Sequence, residues 1–86
     1  SVEVLKNPKV LNLLAEYVSV HYPELKEEFG KFLKSSSAAF SSRVFSPFSV
    51  FSLLLLLEDE VFERAKGELP KNLTKKLIKE LVVSLL

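Results

Sequence analysis

The chain has 86 residues, a formal net charge of +1 and no cysteine, methionine or tryptophan. A chain of this length forms one domain and buries only roughly 60% of its surface, so apolar packing, within it or across an interface, must stabilise it. The lack of cysteine excludes disulfides and cysteine-based zinc sites, the two glycines exclude glycine-rich phosphate loops, and the near-neutral charge gives no global field that attracts nucleic acid or anionic lipid.

The composition also predicts the kind of organism and the compartment in which the protein works. Lys and Glu supply nearly all the charge, Gln is absent, and Thr, Ile and Asp each occur once. Enrichment in Lys and Glu with few thermolabile residues is typical of hyperthermophile proteins. The N-terminal stretch lacks the basic start and apolar block of a signal peptide. We therefore expect a cytoplasmic protein from a thermophile.

Four prolines mark four predicted helix starts. Proline suits the first helical position because its missing N–H would have no partner there. No sustained alternation of apolar and polar residues predicts a strand. The sequence therefore predicts an all-α fold, a small bundle of four main helices in a single domain over residues 1–86. The predicted helices span about 8–21, 23–35, 47–66 and 70–86, starting at Pro8, Pro23, Pro47 and Pro70.

The first two predicted helices differ in the width of their apolar faces. Apolar side chains fill an arc of roughly 200° on the helix over 8–21, which predicts unusually deep burial. His21, the only histidine, projects into this arc near the helix end. We interpret it as a packed residue that the helix dipole favours, because no cysteine or second histidine joins it. The helix over 23–35 has a narrow apolar stripe that is typical of a peripheral helix.

A serine-rich connection over 35–46 follows the second helix. It contains six serines and has no strong periodicity. Connections of this length are uncommon in small bundles and are often functional. Phe40 and Phe45 predict that it is anchored to another apolar surface.

The third predicted helix, over 47–66, is apolar on nearly all sides and is therefore the expected centre of the bundle. Gly67 follows it as a plausible C-terminal cap. Ser49 and Ser52 share one face, which is either a thin solvent-exposed edge or a place where another helix comes close. The apolar run over 44–57 would rise only about 21 Å, against roughly 30 Å for a bilayer core, so we expect no membrane contact.

Charge predicts how the third and fourth helices pair. The end of the third helix is acidic and the start of the fourth is basic, and each charge opposes its own helix dipole. Across a short antiparallel turn the two groups would compensate each other. We therefore predict that Glu63 lies near Lys75, and that Glu60 lies near Lys76 or Lys79.

The fourth predicted helix, over 70–86, carries an apolar stripe and a charged face. The predicted core positions are Leu73, Leu77, Ile78, Leu81, Val82 and Leu85. Val83 and Leu86 fall on the charged side, so the core of the domain should not bury them.

No segment predicts catalysis, a cofactor site or a metal site. The serines lack a partnered base and an oxyanion site, and the single histidine belongs to a different predicted helix. Consecutive helical residues point in different directions, so Glu58, Asp59 and Glu60 cannot converge on one cation. We therefore expect a protein that is not an enzyme.

Three functional hypotheses follow. The first is a non-catalytic protein–protein interaction module, a small accessory subunit that binds its partner through Phe40, Phe45, Val83 and Leu86. A thermophilic nucleic-acid-processing assembly, such as an archaeal DNA polymerase, is one host that we consider. The second is a nucleic-acid-binding helical domain. Its contacts would be made by Lys71, Lys75, Lys76 and Lys79. The third is a homo-oligomer whose excess apolar surface pairs with itself.

Overall fold

The computed structural model describes residues 3–34 and 47–86, and every regular element within these ranges is helical. The predicted all-α fold is therefore confirmed for the described residues. The α-helices are α1 (Pro8–His21), α2 (Lys26–Lys34), α3 (Pro47–Leu55), α4 (Asp59–Ala65) and α5 (Lys75–Leu85). Short 3₁₀ turns lie at Glu3–Lys6, Pro23–Leu25 and Lys66–Glu68. The predicted connection over 35–46 lies outside the described residues.

Helix α1 has the bounds that the sequence predicts. Asn7 caps it, because its side-chain oxygen accepts a hydrogen bond of 2.9 Å from the backbone N–H of Lys9, and Pro8 occupies the first turn. The helix buries one side chain per turn, at Val10, Leu14 and Val18. Val20, although part of the predicted apolar arc, is 67% exposed. The buried stripe is therefore narrower than the sequence predicts.

Helix α2 contacts α3 through aromatic rings. Phe29 is buried, and the centroid of its ring lies 5.8 Å from those of Phe48 and Phe51, both in edge-on geometry. Edge-to-face contacts place the positive ring edge on the negative face of its neighbour. These rings hold α2 against α3. The α-helix begins at Lys26 after a 3₁₀ turn, instead of at Pro23 as predicted.

The helix predicted over 47–66 is two helices. Near Leu55 the chain changes to bonds three residues apart, with Leu57 N–H donating to Leu54 O at 3.0 Å, and Glu58 is extended (φ −67°, ψ 132°) before α4 begins. Leu53 and Leu56 are among the residues buried up to this turn, and Val61 and Ala65 are buried after it. On one straight helix these two pairs would lie about 130° apart around the axis. The turn lets both pairs enter the core. No glycine or proline in this part of the sequence predicts the turn.

The last helix begins later than predicted, at Lys75 instead of Pro70. Pro70 accepts a hydrogen bond of 2.9 Å from Leu73 N–H in a turn. Thr74 then caps α5 by accepting a bond of 3.2 Å from the N–H of Leu77. Threonine is a favoured N-cap because its hydroxyl oxygen accepts from a backbone N–H that lacks a helical partner.

The helices pack in two groups that share one core. Helix α1 packs against α2 and α4, and α3 packs against α5. The predicted single central third helix is therefore not observed. The predicted pairing of the third and fourth helices is seen mainly as packing of α5 on the first half, α3. The buried apolar core consists of Leu5, Val10, Leu14, Val18, Phe29, Phe32, Leu53, Leu55, Leu56, Val61, Ala65, Leu69, Ile78 and Val82.

The two serines of α3 are buried. Ser49 and Ser52 are 3% and 0% exposed, so their shared face is not a solvent-exposed edge. Ser52 donates its hydroxyl hydrogen to Phe48 O within the same helix at 2.7 Å. This bond satisfies the hydroxyl without a partner from another helix, and the small side chain leaves room for close packing.

None of the described helices combines the length and the apolar character that crossing a bilayer would require.

Candidate partner-binding surfaces

Lys75 joins the start of α5 to α4 by two contacts. Its ammonium group forms an ion pair with the carboxylate of Asp59, and it lies 5.4 Å from the centroid of the Phe62 ring. A cation over an aromatic face is attracted by the ring quadrupole. The hydrogen bond from Lys75 and its positive charge lower the pKa of the Asp59 carboxyl. The two helix starts are therefore linked electrostatically.

The predicted charge pairs between the third and fourth helices are wrong in detail. Lys75 contacts Asp59 instead of Glu63, and Glu63 contacts Lys66 at 3.6 Å. Glu60 lies 3.9 Å from Nε2 of His21 on α1 instead of contacting a lysine of α5. The prediction assumed one straight helix up to 66, and the turn before α4 changes which acidic side chains face α5.

A groove lies where α4, the following turn and the start of α5 meet. Its volume is about 590 Å³. Its apolar lining is formed by Phe62, Leu69, Pro70 and Leu73. Gly67 and Thr74 complete the wall between the helices. This volume is within the range of about 300–1,000 Å³ that is typical of ligand pockets.

The charged residues that line this groove are all lysines: Lys66, Lys71 and Lys75. No carboxylate is among the lining residues, although the chain contains 11 Asp and Glu against 12 Lys and Arg. Lys66 and Lys75 each have a carboxylate partner outside the lining, and Lys71 forms no ion pair within the described residues. The groove therefore combines an apolar lining with charged residues that are all positive.

Gly67 does not have the role that the sequence predicts. A glycine cap uses the left-handed region, but neither glycine of the chain has a positive φ, and Gly67 belongs to the 3₁₀ turn after α4. A Cβ added at this position would meet no atom within 4 Å. Neither the backbone conformation nor the packing of the domain therefore requires a glycine at this position of the groove wall.

The outward face of α5 combines exposed apolar and basic side chains. Val83 and Leu86 are 71% and 89% exposed, as predicted. At 100° per residue they share an arc of about 80° with Lys76 and Lys79, both exposed. We call these four residues the outward face of α5. Leu77, predicted in the core stripe, is also exposed, at 39%.

The other predicted partner residues, Phe40 and Phe45, lie outside the described residues. The four lysines predicted for nucleic acid do not form one surface. Lys71 lies in the turn before α5 and Lys75 points to α4, so Lys76 and Lys79 are the two on the outward face.

The sequence did not predict three contacts that join α1 to α4 and the 3₁₀ turn that follows α4. They are Lys9 with Glu68 at 3.4 Å, Glu16 with Arg64 at 3.3 Å, and His21 with Glu60 at 3.9 Å. From one pair to the next, the residue number on α1 rises while the residue number of its partner falls, so the two segments are antiparallel. The four-residue spacing of the three α4-side positions was visible in the sequence, but their partners become apparent only once α1 lies beside α4.

His21 does not lie in the core. Its side chain is 44% exposed, and its ring centroid lies 4.2 Å from that of Tyr17. Burial, and then the charge of Glu58, raise the pKa of the Tyr17 phenol above its ordinary value. Within residues 3–34 and 47–86, no group of histidine and carboxylate side chains has an arrangement that could hold a metal ion.

Comparison with protein-family models, with curated proteins and with solved structures gives no significant match for this chain.

Proposed function

We propose that this chain is a non-catalytic protein–protein interaction module, an accessory subunit whose partner packs on the outward face of α5. The observation that supports this function most directly is the exposure of Val83 and Leu86, at 71% and 89%. Val83 lies in the last turn of α5, and Leu86 is its C-cap residue, whose backbone N–H donates to Val83 O at 3.2 Å, so the two are neighbours at the helix end. Exposed apolar side chains that adjoin one another and have a polar rim are characteristic of interaction sites.

The composition of this face favours a protein partner over nucleic acid. Only Lys76 and Lys79 add positive charge to it, whereas a nucleic-acid surface needs several phosphate contacts along one track. Two apolar side chains at its end would remain in contact with phosphate and water in such a complex. A protein with an apolar groove and acidic rim would cover both features. The same hypothesis holds that the partner belongs to a larger assembly, and a nucleic-acid-processing assembly is the host that we propose.

Photo-crosslinking from Val83 tests the proposal. The full chain is expressed in its source cells with a benzophenone-bearing amino acid in place of Val83, and irradiated. The matched control carries the same group in place of Lys34, an exposed residue of α2. We expect a light-dependent adduct with a defined protein from position 83 and none from position 34.

Each other outcome contradicts the proposed partner class. An adduct with nucleic acid supports the lysine-based hypothesis, and an adduct of twice the chain mass supports a homo-oligomer. The absence of any adduct from position 83, with the helix content unchanged in circular dichroism, contradicts a partner on this face. Light scattering across a hundredfold concentration range, with an apolar dye, tests self-association independently.

A further inference from the structure

We infer that the groove between α4 and α5 binds an acidic peptide segment of the partner, with one apolar side chain of that segment inserted against Phe62, Leu69 and Leu73. The inference rests on the proposed function, because a protein partner is what makes the occupant a peptide. It adds a second surface and the chemistry of the segment that this surface recognises.

The apolar lining provides the anchoring part of the site. Phe62 and Leu73 are partly buried, and together with Leu69 and Pro70 they form the apolar lining of the groove. A single large apolar side chain that leaves water for such a wall typically dominates the affinity of a peptide complex. The groove volume of about 590 Å³ is ample for one such side chain and its neighbouring backbone.

Charge complementarity defines the rest of the occupant. Lys66, Lys71 and Lys75 line the groove, and no lining residue is acidic. Lys71 forms no ion pair within the described residues, so it is available to a carboxylate from outside. A carboxylate beside the inserted side chain would meet Lys71, and a second would compete with Glu63 or Asp59 for Lys66 or Lys75, which speeds encounter and selects against basic segments.

Gly67 is the third observation. Glycine lowers the stability of a helical turn relative to alanine, because it loses more backbone freedom on folding. Here its φ is negative and no atom lies within 4 Å of an added Cβ, so the fold gains nothing from it. In the wall of the groove, the missing side chain leaves the space that an inserted peptide needs.

A nucleic acid fits this groove less well than an acidic peptide. No arginine lines it, and its lining has four apolar side chains against three lysines. Phosphate recognition usually extends along a track of basic residues. An apolar wall closed by leucine and proline is instead typical of a pocket for a side chain.

Peptide display on the full chain tests the inference. Random decapeptides on phage are selected on the 86-residue chain, and the enriched peptide is synthesised for fluorescence anisotropy. The groove variants are Lys71→Glu and Gly67→Leu. The matched controls are Lys34→Glu and Gly30→Leu in α2, where an added Cβ also meets no atom within 4 Å. Circular dichroism confirms that every variant folds.

We expect enriched peptides with two or more carboxylates around a leucine or phenylalanine. Each groove variant should weaken binding at least about tenfold, and each control variant less than about twofold, with affinity falling at higher salt. Enrichment of peptides without carboxylates, or equal affinity for groove and control variants, overturns the inference. Binding of a single-stranded decanucleotide that Lys71→Glu abolishes, without peptide binding, also overturns it.

The two proposals fail separately. Val83 belongs to the last turns of α5, whereas the groove variants precede that helix. Peptide binding without crosslinks from position 83 contradicts the outward face alone. Crosslinks from position 83 without peptide selection contradict the groove alone.

Discussion

Lys75 and Asp59, the first residues of α5 and α4, form an ion pair that links the starts of the two helices. An aspartate in a first helical turn is favoured by the helix dipole, and a lysine there is disfavoured. The pair places the unfavourable charge of Lys75 beside a carboxylate, and the ring of Phe62 at 5.4 Å adds a second favourable contact. One wall of the groove therefore depends on this junction.

A double-mutant cycle with Asp59→Asn and Lys75→Met should show favourable coupling at low salt that shrinks at high salt. The physical reason is that exposed ion pairs are screened by mobile ions. The measurement is the free energy of urea unfolding of the four proteins. The same cycle with Glu63→Gln in place of Asp59→Asn is the control and should show no coupling, because Glu63 contacts Lys66. Coupling of Glu63 to Lys75 instead would restore the pairing predicted from a straight helix.

The stability that Asp59 contributes should depend on pH in the acid range. Lys75 lowers the pKa of the folded carboxyl below the unfolded value of about 3.9. The unfolded state therefore binds more protons between these two values, and stability falls as pH falls through the folded pKa. We expect wild type to exceed Asp59→Asn in unfolding free energy at neutral pH, and the two to converge on acidification. A difference that is constant down to pH 2 would exclude the charged pair as its cause.

Gly30→Ala should stabilise the chain by about 0.5–1 kcal/mol. Gly30 lies inside α2 with a negative φ, and an added Cβ would meet no atom within 4 Å, so alanine removes unfolded-state entropy without strain. Chemical denaturation measures the change. Gly67→Ala should also not destabilise, because its surroundings are equally open. A loss of stability in either variant would reveal a packing or backbone requirement that the described structure does not contain.

Leu56→Ala and Leu54→Ala should differ sharply although the two leucines are two residues apart. Leu56 is 0% exposed, so truncation should cost about 2–5 kcal/mol through lost burial and a cavity. Leu54 is 45% exposed, so its truncation should cost less than about 1 kcal/mol. Urea midpoints at unchanged slope measure both values. Equal costs would show that the leucine run packs in a different orientation from the one described.

Much of the secondary structure was predictable because its signals are local. Asn7 and Pro8 determine where α1 begins, and their hydrogen bonds form within one turn of the chain. The start of α5 also has a local signal, since Thr74 is a favoured N-cap, but Pro70 is a competing signal for an earlier helix start. The exposure of Val83 followed from helical periodicity alone.

The candidate groove was not predictable, because its parts come from three segments. Phe62, Gly67 and Leu73 have no shared pattern in the sequence, and only the turn of the chain after α4 brings them to one cavity. The charge pairs were equally hidden, since acidic and basic residues are abundant and each has many allowed partners.

The sequence by itself determined the helical fold class, the bounds of the first helix and the exposure of the apolar side chain of Val83, because these depend on capping and on the 3.6-residue period. Only the tertiary structure decided that the long apolar helix divides before Asp59, since no glycine or proline marks that turn and it serves the joint burial of Leu56 and Val61. The same turn decides which carboxylate meets Lys75. Close packing is a property of all the elements at once, so it can override the conformation that any one segment would adopt alone.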